Sequence, residues 1–132
     1  MAFGPATLIT ILGKAVTARR MMGATPAQTE PNYISIGTGA TAAARTATTA
    51  DTALSVPAES RIAGTSSNVT TTNAGDTYQS VATFTATAAR AVDEAGMFDA
   101  AAAGNMFFSS TFAVVNLSTG DSLQLTCKTQ YT

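Results

Sequence analysis

The 132-residue chain has no histidine, no tryptophan and one cysteine, with seven basic and eight acidic residues. Without histidine there is no Ser/His/Asp triad, no Cys/His dyad and no zinc site of the usual Cys/His kind. The single cysteine, Cys127, cannot close an internal disulfide, so the fold does not depend on an oxidising compartment. A formal net charge of −1 leaves no basic surface of the sort that nucleic acid requires. Long hydrophobic runs are missing as well: no window offers the roughly 20 mostly apolar residues of a membrane-spanning helix. No basic residue precedes the first apolar stretch, which excludes a signal peptide there. In place of these features stand 27 Ala and 24 Thr. The length suits one domain with a single core.

Hydrophobic spacing divides the chain in two. Leu8, Ile9, Ile11, Leu12, Ala15, Val16 and Met22 recur at intervals near three and four, predicting an amphipathic helix. Arg19 and Arg20 complement the dipole at its end, and Gly23 stops it. Pro26 and Pro31 mark residues 24–31 as an extended linker that carries this segment away from the rest. Residues 1–31 are therefore expected to form an arm and linker, and 32–132 a β-sandwich domain.

From Asn32 the period becomes two. Tyr33–Ile36 alternates and ends in the turn Gly37-Thr38-Gly39. Residues 40–53 are Ala- and Thr-rich without large apolar side chains, and read as a surface loop. Residues 66–72 and 77–88 flank Asn73-Ala74-Gly75-Asp76, the turn chemistry of a hairpin, with Tyr78, Ala82, Phe84 and Ala86 on one face and a threonine ladder on the other. Residues 94–99 predict a short strand. Met106–Leu117, the most apolar run, predicts a strand covered on both faces. In 122–128, Leu123, Leu125 and Cys127 point inward while Gln124, Thr126 and Lys128 point outward. Seven or eight short strands preceded by one helix predict a mainly β fold, an antiparallel, jelly-roll-like β-sandwich with an N-terminal helical or extended arm.

Candidate chemistry is sparse. Asp93, Glu94 and Asp99, with Asp121, form the densest acidic group, but Ala95 and Met97 break the alternate oxygen spacing of a calcium loop, so these acids read as turn and strand-end residues. Cys127 has no histidine to activate it and reads as a buried structural thiol. Neither catalytic residues nor a cofactor nor a metal is expected. The stripe of Leu8, Ile9, Leu12 and Val16 either packs on its own sandwich or docks on another subunit, and the prolines after it favour docking elsewhere. With Arg19 and Arg20 it is the candidate partner-binding set.

One resemblance adds to this. The segments Ile11-Leu12-Gly13-Lys14-Ala15-Val16-Thr17, Pro31 to Gly39, Glu59 through Arg61 to Gly64-Thr65, Glu94 to Asp99, and Val115 to Leu123 resemble, in order and distance, small virion proteins of tailed bacteriophages encoded near the capsid genes. The resemblance implies a head decoration or cement protein, made in the host cytoplasm and carried on the capsid surface. It further implies a trimer seated over junctions between major capsid subunits, with neither nucleic acid nor membrane as partner. A tail, collar or fibre module is the alternative, and a carbohydrate-binding or hydrolytic domain a more distant one, because the chain offers few aromatic platforms.

Overall fold

The computed structural model describes residues 8–25, 28–39, 53–54 and 56–131. Most of the alanine- and threonine-rich stretch expected to be a loop, residues 40–52, lies outside them. Among the described residues eight strands and one helix follow in the order β1 (Leu8–Ile9), α1 (Ile11–Met21), β2 (Tyr33–Gly37), β3 (Ile62–Ala63), β4 (Thr65–Val69), β5 (Thr77–Thr85), β6 (Arg90–Phe98), β7 (Met106–Leu117) and β8 (Ser122–Gln130). They form two antiparallel sheets, one ordered β1-β7-β6-β2-β3 and the other β4-β5-β8. The sheets face each other across a core of Ile34, Ile36, Ala95, Met97 and Phe108 from the first and Ala82, Phe84, Leu125 and Cys127 from the second. This is the antiparallel β-sandwich that the alternating pattern predicts.

Among the described residues the chain passes between sheets three times, and each joint is tied. Between β3 and β4 the joint is Gly64, whose N–H donates to the Asn32 carbonyl at 2.7 Å. A Cβ at Gly64 would collide with Ser80 Oγ and stand 3.1 Å from the Val81 carbonyl, so a larger residue would make Ser80 turn aside. The other two joints, after β5 and after β7, are bonded to each other: Ala86 N–H donates to Asp121 O and Gly120 N–H to Ala86 O, both at 2.8 Å. Glu59 secures the same end, accepting from the Thr87 amide at 3.0 Å and from Arg90 Nε at 3.2 Å.

Two bulges depart from simple alternation. Register shifts between Val92 and Glu94 and between Met97 and Phe98 turn the course of the β6–β7 pair. Asp93 and Glu94 are buried within β6, which begins at Arg90 rather than at Glu94. Met106–Leu117 is covered on both faces only as far as Ser110; from Thr111 it opens to solvent, and Val114 is 55% exposed. The turn between β6 and β7 is built on Asp99, which accepts from Asn105 N–H at 2.7 Å and Asn105 Nδ2 at 2.9 Å. Arg61 stacks 3.5 Å from the centre of the Phe98 ring and donates to the carbonyls of Ala100 and Ala103.

In β8 Leu125 is 1% exposed, whereas Leu123 is half-buried at the strand's start and Gln124 is exposed. Leu125→Ala should therefore lower stability by about 2–5 kcal/mol through lost burial and a residual cavity, Leu123→Ala by clearly less, and Gln124→Ala by least. Urea titrations of the three variants measure the order directly.

Asp76 organises the β4–β5 turn, accepting from the amides of Asn73, Thr71 and Thr72, the Thr77 hydroxyl and the Gln130 side chain. These bonds, the Asn73 amide first among them, hold its carboxyl well below the usual carboxylate range. A depressed folded-state pKa gives stability that is present above the unfolded value and lost as pH falls through the folded one. The loss should set in below about pH 4. Asp76→Asn should flatten the fall in melting temperature between about pH 5 and pH 2, measured by calorimetry across that range.

Candidate functional site

Among the candidate partner-binding residues, the structure brings the backbone of the N-terminal segment onto the sandwich of its own chain. Leu8 and Ile9 do not begin the helix; they pair with Ser109 and Phe108 at the edge of the large sheet. Ile9 and Val16 pack against the main core. The side chains of Leu8 and Leu12 lie outside the described ones. Arg19 and Arg20 are exposed on the last turn. The linker thus does not carry this segment away from the rest.

The reason is local. Thr10, fully buried between β1 and α1, is extended at φ −66° and ψ 162° and serves as the helix N-cap, its Oγ1 accepting from Gly13 N–H at 3.1 Å. The same hydroxyl donates to the Met106 carbonyl at 2.7 Å, and the Thr10 amide donates to the Phe107 carbonyl at 2.9 Å. One residue both starts the helix and fastens it to β7. Gly13 completes the seat: a Cβ there would stand 2.8 Å from Phe107 O, so the first helical turn rests directly on strand backbone. At the far end Gly23, at φ 75°, closes the helix as the sequence predicts, donating to Arg20 O at 3.0 Å.

Between α1 and the sandwich runs an apolar groove of about 310 Å³, walled by Val16, Phe107, Phe108, Tyr78 and Tyr131, with Arg20 at its side. The Tyr78 hydroxyl lies within hydrogen-bond distance of Pro31 O at 3.2 Å, Glu30 Oε1 at 3.3 Å and Ser66 Oγ at 3.1 Å. Burial pushes its pKa up to about 12, so it remains a neutral structural tie. Cys127 is fully buried and its thiol is likewise pushed up to about 12 by burial, the state of a structural cysteine.

The acidic group separates into structural duties. Asp93 and Glu94 are buried in β6, Asp99 holds the β6–β7 turn, and Asp121 accepts from Ser118 N–H at 2.7 Å in the turn before β8. Among the described residues no three His, Cys, Asp or Glu side chains are grouped to hold a metal ion. Sequence reading counted Ile11, Ala15 and Met22 among the apolar positions of the helix without setting apart the outward side of α1. Ile11, Ala15, Ala18 and Met22 line it at a spacing of four, three and four, a signal present in the sequence beside the larger residues of the opposite stripe.

Thr10→Val retains the β-branched shape and removes the hydroxyl. It should weaken helix docking by about 1–3 kcal/mol. Hydrogen exchange should show faster exchange of the α1 amides while those of β5 and β8 keep their protection.

No family model, curated protein or solved structure matches this chain.

Proposed function

We propose that the protein is a head decoration protein of a tailed bacteriophage, sitting as a homotrimer on the outer capsid surface and reinforcing contacts between major capsid subunits. The observation that supports this most is where the phage-like segments fall. Pro31–Gly39 contains β2, Glu59–Thr65 carries the Arg61 tie and the Gly64 joint, Glu94–Asp99 completes β6 and its turn, and Val115–Leu123 spans the last passage between sheets. The resemblance thus follows the joints of one continuous sandwich.

The surface chemistry agrees with the reading. A protein that must cover neighbours without a cofactor gains from a surface with few charges to desolvate, and this chain has seven basic and eight acidic residues. A threonine ladder on β5, with Thr83 and Thr85 exposed, offers hydroxyls that bond equally well to water or to a neighbour. Sandwich modules of tails, collars and fibres have the same needs, and position on the particle separates the two.

Electron microscopy of the particle should show many copies spread over the head lattice, and sedimentation of the purified protein a species near three times the 13.3 kDa chain mass. Copies confined to the tail or collar would replace this assignment with the alternative, and a particle without the protein would overturn both.

A further inference from the structure

The outward side of α1 is not needed to hold the helix in place. Gly13, Val16 and Thr17 turn toward the sandwich, while Ile11, Ala15, Ala18 and Met22 form a stripe exposed along its length, with Met21 beside it. Ile11 is 47% exposed, Met21 85% and Met22 82%, which makes three of the six exposed large apolar side chains among the described residues part of, or next to, this one helix. Scattered apolar residues on a surface need no explanation, but a row of them on a helix already fixed in place does. The charge is one-sided too. Lys14, Arg19 and Arg20 lie on α1 with no acidic residue among Ile11–Met21, in a chain whose net charge is −1.

We infer that this face of α1 docks into an apolar groove of a different protein whose rim carries carboxylates, and that it, rather than the Ile9 and Val16 side, makes the contact. The inference rests on the decoration reading, which supplies the capsid protein as partner. A second copy of the chain suits the charge less well, because among the described residues the one carboxylate on its own apolar groove, Glu30, shares that groove with Arg20. Among the described residues Asp93 and Glu94 are buried, and Glu30, Glu59, Asp76, Asp99 and Asp121 already accept hydrogen bonds within the chain. A lipid surface suits the shape less well, because an interfacial helix buries a broad face rich in Trp, Phe and Leu, and this stripe is narrow and half alanine. The docking cost is low, since Thr10 and Gly13 hold the helix in its final position before any partner arrives. A face roughly 16 Å long makes a small interface, so its strength would come from many copies engaging one lattice.

The test is pelleting with phage heads stripped of the protein. Ala18→Glu places a carboxylate on the exposed stripe, one turn from Lys14, where it repels an acidic rim at a small cost to the end of the helix. Its thermal unfolding should stay close to wild type while its binding falls roughly tenfold or more. Met22→Ser and the Lys14→Gln/Arg19→Gln pair, both on exposed positions, should each weaken binding several-fold. Wild type and all variants binding heads equally would overturn this inference and leave the decoration reading standing. Wild type failing to bind heads would remove both. Binding to vesicles of phosphatidylcholine and phosphatidylglycerol that is lost in Ala18→Glu would overturn it in favour of a lipid surface.

Discussion

Thr10 is held without exposed surface between a strand and a helix, and its hydrogen bonds decide what the N-terminal segment becomes. An isolated helix of eleven residues is marginal in water, so α1 needs tertiary contacts to persist. Thr10 supplies the cap that starts it and the two bonds to β7 that fix where it lies, and Gly13 allows the two backbones to touch. The groove beside Val16 and the outward row from Ile11 to Met22 both follow from that seat. Moving the helix would change each of them together.

The rest of the molecule shows how a sandwich forms from few large apolar residues. Ile34, Ile36, Phe84, Met97, Phe108 and Leu125 fill the centre, and small or hydroxylated side chains such as Ala82, Ala95, Ser80 and Ser110 occupy buried positions between and beside them. Small side chains let facing sheets approach, at the expense of hydroxyl groups that must find partners. Thr77 does so through Thr71 and Asp76, whereas Ser80 Oγ and Thr129 Oγ1 have no hydrogen-bond partner among the described residues. Much of the remaining order comes from turns, in which Asp76, Asp99 and Asp121 each gather nearby amides.

The parts of the fold legible in the sequence are those set by period two and by turn chemistry. The β4–β5 hairpin around Asn73–Asp76, the inward Phe84 and Ala86, the burial of Leu125 and Cys127, and the Gly23 stop all follow from local pattern. The irregularities of β7 at residues 112–114 and at Phe107 do not, because extra residues in one strand are defined only against its partner. Leu8 and Ile9 continue a helical spacing on paper, yet pair as a strand because β7 offers an edge there, a contact no local window contains. Pro26 and Pro31 set the linker apart in the sequence but say nothing of the direction in which the chain leaves the helix. The acids were legible as turn residues at Asp99 and Asp121; the burial of Glu94 was not, since it depends on what lies over β6.

The bond from Thr10 to Met106 spans 96 positions of sequence. During synthesis the segment that becomes α1 leaves the ribosome long before the strand that receives it, and no earlier strand among the described residues pairs with Leu8 or Ile9. Contacts of such separation form late, after loop closure has been offset by nearer ones. The hairpins β4–β5 and β6–β7 can assemble as their residues emerge, but the helix must wait until residues 106–109 exist. Through that interval the apolar residues of both its stripes face solvent together, and the nascent chain is more adhesive than the finished protein.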